Sequence, residues 1–125
     1  MPKKILIVDD EPDIVMMTEL RIKALGYDTI TAKDGQEALN KAKQEMPDLI
    51  ILDVMMPKMD GYKVCGLLKS DSRYKNIPII LFTARAQEVD RQTSVEVGAD
   101  AYLNKPLNAE QMSTTIKELL EKKES

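Results

Sequence analysis

Acidic residues stand directly after two short apolar runs in this 125-residue chain. Asp9 and Asp10 follow the run Ile5–Val8, and Asp53 follows the run Leu49–Leu52. Each run has the length and apolar character of a buried strand. If the two strands are parallel neighbours, all three carboxylates lie at one sheet edge, where two charges about 4 Å apart repel by roughly 4 kcal/mol. The pattern therefore predicts a site for a cation beside a carboxylate.

Two further polar residues follow strand-length apolar runs and are expected at the same edge. Thr83, with Ala84 behind it, ends a run that begins at Ile77, and Lys105 follows the run 100–104. The edge would then carry carboxylates, one hydroxyl and one ammonium group. Such a set suits phosphoryl transfer, which depends on positioning and on neutralisation of charge.

Oxygen atoms of four residues are the expected contacts of a hard cation. Mg²⁺ prefers octahedral oxygen ligands and keeps several waters beside one or two carboxylates. Asp10 and Asp53 each offer one carboxylate oxygen, Asp9 can act through a water, and Met55 offers its backbone carbonyl. A phosphoryl group bound there would meet the cation on one side and the hydroxyl and ammonium groups on the other. Aspartate carboxylates serve as phosphoryl acceptors in proteins.

Strand-length runs alternate with longer segments of helical period along the chain. Strands are predicted at about residues 4–9, 28–32, 48–53, 77–83 and 100–104. Helices are predicted at about residues 12–25, 35–46, 61–71, 87–97 and 108–122. Five βα units imply a parallel sheet with helices on both faces, a flavodoxin-like (βα)5 three-layer α/β sandwich. The mostly polar second strand favours the order 2-1-3-4-5, in which ligands bind at the ends of strands 1 and 3.

Signals at the helix ends agree with these boundaries. Pro12 suits a first helical position, and Gly26 and Gly98 suit positions just past a helix end. Capping boxes are predicted at two helix starts, namely Asp34 with Glu37 and Asn108 with Gln111. In the first helix the predicted packed face consists of Ile14, Met17, Ile22 and Leu25, interrupted by Thr18 and Arg21.

Composition argues against several functional classes. A net charge of −3 and a pI near 5.1 argue against direct binding to nucleic acid or to an anionic membrane. No apolar stretch approaches the ~20 residues of a membrane span or forms a signal peptide. One cysteine, Cys65, and no histidine exclude an intrachain disulfide and histidine-based catalysis. We expect one cytoplasmic domain over 1–125, with a structured core at about 4–122 and no output domain attached.

These motifs, in this order, closely resemble the receiver domain of bacterial two-component response regulators across essentially the whole chain. The matching segments are Ile5–Glu11, Asp53–Gly61, Thr83-Ala84 and Lys105-Pro106. The resemblance implies that Asp53 accepts a phosphoryl group from the phosphohistidine of a sensor histidine kinase or phosphotransfer protein. It implies Mg²⁺, with Mn²⁺ as a substitute, bound by Asp10, Asp53 and the Met55 carbonyl, with Asp9 acting through water.

The resemblance implies further roles around the phosphoryl group. Thr83, Ala84 and Lys105 would contact its oxygens, and the Lys105-Pro106 peptide would be cis. Thr83 and Tyr102 would form a switch that changes the surface of the fourth helix, fifth strand and fifth helix. That surface would bind a downstream protein target or a second copy of the chain. The domain is thus expected to be a phosphorylatable switch that assists its own phosphotransfer and autodephosphorylation, rather than an enzyme.

Two residues that flank the expected phosphorylation site are interpreted as modulators of dephosphorylation. The apolar Met55 side chain cannot hydrogen-bond an attacking water, whereas Arg85 can bond or block it. We therefore expect hydrolysis of the acyl phosphate over minutes or longer.

Other functions fit the residues less well. A phosphatase of the haloacid dehalogenase type needs a second acid two residues after its nucleophile, where Met55 stands. A flavodoxin-like FMN protein needs a loop rich in Ser, Thr or Gly after strand 1, where this chain is acidic at residues 9–13. A phosphorylation-independent pseudo-receiver, acting only as an interaction module, usually lacks one of the acids, the threonine or the lysine. All of these residues are present here, which argues against a pseudo-receiver. It is kept as the alternative function.

Overall fold

Five parallel strands form the centre of the molecule. The computed structural model describes residues 2–56, 59–84 and 97–124. The strands are β1 (Lys4–Val8), β2 (Asp28–Ala32), β3 (Leu49–Leu52), β4 (Ile79–Thr83) and β5 (Ala101–Asn104). They form one sheet in the order β2-β1-β3-β4-β5, and every neighbouring pair is parallel. The predicted strand order is therefore confirmed.

Helices cover both faces of this sheet. The helices of the described ranges are α1 (Pro12–Ala24), α2 (Gly35–Glu45), α3 (Gly61–Lys69) and α4 (Ala109–Glu124). The last of these corresponds to the fifth predicted helix. The fourth predicted helix, at 87–97, lies almost entirely outside the described residues. No helix in the described ranges is both long enough and apolar enough to cross a membrane.

The apolar core is split into two layers by the sheet, because successive side chains of a strand point to opposite faces. One layer joins the sheet to α2 and α3 through residues such as Leu39, Val64 and Leu68. The other joins it to α1 and α4 through residues such as Ile22 and Ile116. The three-layer sandwich is thus confirmed, and both faces of β1, β3 and β4 are buried.

Strand and helix ends differ from the predictions by one or two residues. The predicted strand 77–83 begins only at Ile79, because Pro78 has no amide hydrogen to give to the ladder. Two predicted caps are present: Asp34 Oδ1 accepts from the Glu37 amide at 2.8 Å, and Asn108 Oδ1 accepts from the Gln111 amide at 2.9 Å. These side chains fix where α2 and α4 begin.

The packed face of α1 differs from the prediction. Thr18 and Ile22 are fully buried, whereas Met17 is 51% exposed. Met16 and Leu20 are also exposed, at 57% and 65%. The helix therefore buries the polar residue Thr18 and exposes an apolar strip that consists of Met16, Met17 and Leu20. The prediction that Met17 belongs to the core was wrong.

Candidate functional site at the carboxyl edge of the sheet

The parallel pairing of β1 with β3 brings the acidic residues together. Val8 is the partner of Leu52 in this pair. Asp9 and Asp53, which directly follow these two residues, therefore lie side by side at the ends of neighbouring strands. The Asp53 amide donates to the Val8 carbonyl at 3.0 Å, which continues the strand pairing beyond the last strand residue. Both carboxylates are consequently held at one edge, and both residues are 3% exposed.

Asp9, Asp10 and Asp53 form one cluster of carboxylates. One oxygen atom from each lies within 4.8 Å of the others. Asp10 is exposed whereas the other two are buried, so the cluster is open to solvent on one side. A set of carboxylate oxygens is the donor set that hard divalent cations such as Mg²⁺ prefer. The residues present therefore fit the expected metal.

The Lys105 ammonium group lies among these carboxylates. Its Nζ atom is 2.5 Å from Asp9 Oδ2, 3.5 Å from Asp53 Oδ2 and 3.8 Å from Glu11 Oε1. Its side chain is only 7% exposed, so the ammonium group is largely cut off from bulk water. The Lys105-Pro106 peptide is cis, as the resemblance implied. One cation is thus shared by three acids.

Thr83 lies at the same edge, at the end of β4. It is 1% exposed, and its carbonyl accepts a hydrogen bond from the Lys105 amide at 2.9 Å. Its partner in β5 is Asn104, two residues after Tyr102, so Thr83 and Tyr102 point to the same face of the sheet. Ala84 follows at the surface. Arg85 lies outside the described residues, and the role predicted for it stays a prediction.

Backbone contacts of Met55 and Gly61 fix the loop that carries Asp53. The Met55 amide donates to Asp53 Oδ1 at 3.2 Å, and the Met55 side chain is 56% exposed. Gly61 packs so closely on this loop that an added Cβ atom would overlap the Asp53 carbonyl oxygen. The Gly61 amide also donates to the Val54 carbonyl at 3.0 Å. The first residue of α3 therefore holds the backbone of Asp53 and Val54 in place.

Burial dominates the electrostatics of the site. Burial, followed by the charge of Asp9, raises the pKa of Asp53, against the opposing effects of Lys105 and the Met55 amide, and the net result is a pKa of about 6. For Lys105, burial lowers the pKa, but the hydrogen bond to Asp9 and the charges of Asp53, Asp9 and Glu11 outweigh it, and the net shift is upward. Lys105 is therefore a firmly protonated group, and Asp53 is a carboxylate that ionises reluctantly.

Three residues around the cluster had no predicted role. Glu11 is the third acid near Lys105, and Phe82 places its ring 5.8 Å from Lys105 Nζ. Met16 lines a groove of about 430 Å³ that runs from Asp9 and Asp10 along α1. Glu11 could have been found from the sequence, because it directly follows Asp9 and Asp10 in the motif. Phe82 and Met16 could not, because their places near the cluster depend on the orientation of the Lys105 side chain and of α1.

The fold and the site together define a class: flavodoxin-like α/β proteins with an acidic cation site where strands 1 and 3 end. Residues 5–117 match the family model described as the response regulator receiver domain. The chain therefore belongs to the receiver domain family of two-component response regulators.

Individual relatives agree with this assignment. The alkaline phosphatase synthesis transcriptional regulatory protein PhoP of Bacillus subtilis is 45% identical over 124 residues, which cover 99% of this chain and 51% of that protein. This chain thus spans about half the length of the curated relatives it matches.

Solved structures show the same fold. Chemotaxis protein CheY4 of Vibrio cholerae is 36% identical with a TM-score of 0.89, covering 95% of this chain and 99% of that one. Response regulator TrrA of Thermotoga maritima, solved in complex with Mg²⁺ and BeF, is 36% identical with a TM-score of 0.85, covering 94% and 98%. Receiver domains bind Mg²⁺ at an acidic site, and this chain has a cluster of three aspartates.

Proposed function

We propose that this chain is the phosphoacceptor domain of a two-component phosphorelay and that Asp53 carries the phosphoryl group. One observation supports this most strongly. The buried Asp53 carboxylate has a protonated lysine 3.5 Å away and two further carboxylates beside it. Such an arrangement places a nucleophile between a cation site and a fixed positive charge, which is what phosphoryl transfer requires.

The proposed metal ligands are Asp10, Asp53 and the Met55 backbone carbonyl, with Asp9 acting through a water. Three carboxylates within 4.8 Å support this assignment. Mg²⁺ bound there would neutralise negative charge on the phosphoryl oxygens and on the acids. We propose that Mn²⁺ can replace it, since both cations suit octahedral oxygen sites.

The proposed reaction is a direct transfer to one carboxylate oxygen of Asp53. As this oxygen forms a bond to phosphorus, the phosphorus–nitrogen bond of the donor phosphohistidine breaks. The imidazole nitrogen leaves with the electron pair, and the product is an acyl phosphate on Asp53. Lys105, the Thr83 hydroxyl and the Ala84 amide are proposed to receive the phosphoryl oxygens. Because these groups serve one self-modifying carboxylate, we propose a switch rather than an enzyme.

The proposed signal passes through Thr83 and Tyr102. Both lie on one face of the sheet, on neighbouring strands, so a shift of the Thr83 hydroxyl toward phosphate would open space for the Tyr102 ring. The altered surface would consist of β5, α4 and the predicted helix at 87–97. We propose that it binds a downstream protein or a second copy of the chain. The net charge of −3 supports a domain that does not itself contact nucleic acid.

We propose that the phosphodonor protein docks against the apolar strip of α1. Histidine kinases are the partners of receiver domains as a family. Met16 and Leu20 are exposed, and Met16 lines the groove that leads to Asp10. An apolar helix surface beside a reaction centre suits the packing of another helix. The donor histidine could then approach Asp53 from the open side of the carboxylate cluster.

Treatment with acetyl phosphate and Mg²⁺, followed by intact mass measurement, tests the proposal. The chain should gain one phosphoryl group, and Asp53→Asn should gain none. Asp28→Asn, at an exposed acid of β2, is the matched control and should behave like the unchanged protein. Addition of a chelator should prevent the adduct. An adduct that persists in Asp53→Asn would show that another residue accepts the phosphoryl group and would refute the assignment of Asp53. No adduct under any condition would favour the pseudo-receiver.

A further inference from the structure

We infer that Phe82 is a positioning residue for Lys105: its ring face holds the ammonium group inside the site. Lys105 Nζ lies over the Phe82 ring, 5.8 Å from its centroid. This distance falls within the range of cation–π attraction. The inference rests on the proposed function, because it concerns the lysine that we propose as a phosphoryl contact.

The strand pattern explains why the ring reaches this position. Phe82 precedes Thr83 in β4 and pairs with Leu103 of β5, so its side chain points to the sheet face opposite to that of Thr83. Residues two apart share a face, and Phe82 belongs to the same core layer as Ile7 and Ile51. Asp9 and Asp53 stand two residues beyond that isoleucine pair. The ring therefore belongs to the apolar layer on the sheet face to which Asp9 and Asp53 point.

Burial gives this contact its importance. The Phe82 residue is 3% exposed and the Lys105 side chain 7%, so little water remains to solvate the ammonium group. An aromatic face carries partial negative charge and attracts a cation more strongly when both are desolvated. An aliphatic side chain of similar size would fill the space but would offer no such attraction.

The ring also decides between alternative positions of a long, flexible side chain. Glu11, whose side chain is 63% exposed, lies 3.8 Å from Lys105 Nζ and draws the ammonium group outward. The ring draws it inward, toward Asp53. A charge already in place before the phosphoryl group arrives needs no rearrangement during the reaction. Weakening the ring should therefore slow phosphorylation of Asp53.

Phe82 is the single phenylalanine of the chain, which makes a clean test available. Growth on fluorinated phenylalanines alters this ring alone, and added fluorines withdraw negative charge from its face with little change of shape. Protein carrying one, two or three fluorines would be phosphorylated with acetyl phosphate and Mg²⁺, and the initial rate followed by intact mass. We expect a stepwise fall of about threefold to tenfold across the series.

Two controls distinguish positioning from a structural role. Phe82→Leu has no site for the analogues, so its rate should be low and independent of the growth medium. The urea midpoint should fall only slightly across the fluorine series, because one weak attraction changes, and every sample should be fully folded under the assay conditions. A flat series in a protein that is otherwise phosphorylated on Asp53 would overturn the inference and leave the proposed function intact. A rate that falls only in samples that are partly unfolded under the assay conditions would also overturn it. If even the unsubstituted protein gains no phosphoryl group, the proposed function fails, and the inference fails with it.

Discussion

Lys105 is held more closely by Asp9 than by Asp53. Its Nζ atom lies 2.5 Å from Asp9 Oδ2 and 3.5 Å from Asp53 Oδ2. The lysine thus neutralises a neighbour of the proposed acceptor and leaves the acceptor only partly compensated. Asp53 therefore keeps negative charge at the proposed cation site. The Lys105 ammonium group stays close enough to contact an incoming phosphoryl group.

Removal of the Lys105 charge should destabilise the protein in the absence of metal. Lys105→Met leaves the buried Asp9 and Asp53 carboxylates without a compensating charge, and breaking a buried pair costs about 3–5 kcal/mol. We expect a loss of that size in the free energy of unfolding at pH 7, measured with urea and a chelator, and partial recovery on addition of Mg²⁺. Lys23→Met is the matched control, because the Lys23 side chain is 60% exposed and its pair with Glu19 should contribute little. Equal losses in both variants would contradict the assignment.

Ionisation of Asp53 should make the metal-free protein less stable as the pH rises. Its pKa in the folded protein is about 6, above the ordinary value of 3.8, so its stabilising contribution is complete below pH 3.8 and is lost as the pH rises through 6. We expect a decline on the order of a few kcal/mol.

Urea unfolding at a series of pH values measures this effect. Asp53→Asn should remove the decline between pH 4 and pH 7 and should be the more stable protein at pH 7. Mg²⁺ should reduce the decline in the unchanged protein, because a bound cation favours the ionised carboxylate. The same pH dependence in both proteins would show that another group is responsible.

Two glycines of α3 should respond in opposite directions to alanine. At Gly66 a Cβ atom would lie at an ordinary contact distance of 3.8 Å from Val97 Cγ1, so Gly66→Ala should stabilise the helix by about 1 kcal/mol. At Gly61 the Cβ atom would overlap the Asp53 carbonyl, so Gly61→Ala should lower both the free energy of unfolding and the phosphorylation rate. Urea unfolding of the pair provides the measurement, and a stabilising Gly61→Ala would refute the close approach.

A charge on the apolar strip of α1 should impair protein phosphodonors selectively. Leu20→Glu should slow transfer from a phosphorylated kinase or phosphotransfer protein by about tenfold or more, the effect expected when a central apolar contact is lost. The rate with acetyl phosphate, which needs no docking surface, should not change. Leu67→Glu, at an exposed leucine of α3, serves as the control. If both variants slow the protein donor equally, the strip has no special role.

Hydrolysis of phosphorylated Asp53 should take minutes or longer. The Met55 side chain is 56% exposed beside the acceptor and offers no hydrogen-bonding atom to orient an attacking water. Decay would be followed by mass after removal of the donor in the presence of Mg²⁺. Met55→Asn, which supplies an amide at this position, should shorten the lifetime. Loss of the phosphoryl group within a few seconds in the unchanged protein would contradict this interpretation of Met55.

Most of the site follows from local sequence signals. Each site residue stands at the end of an apolar run, and parallel strands bring their carboxyl ends to one edge whatever the details of packing. The polar second strand favoured the edge position that β2 occupies. Strand order and the grouping of Asp9, Asp10 and Asp53 could therefore be predicted.

The orientation of α1 could not be predicted in the same way. Apolar residues occur around the whole helix, so the sequence offers no clear preference for one face. Packing against the sheet buries Thr18 and Ile22 and leaves Met17 and Leu20 outside. The apolar strip of α1, where we propose that a phosphodonor docks, is exposed only because the helix packs in this orientation.

The sequence by itself determined which side chains meet, because strand ends are marked locally by acids, a threonine and a lysine. Only the tertiary structure decided how those side chains are paired. Lys105 is a long side chain whose position depends on several neighbours at once. Its preference for Asp9, its distance from Asp53 and its place over Phe82 result from burial and packing between four strands, which no single segment encodes.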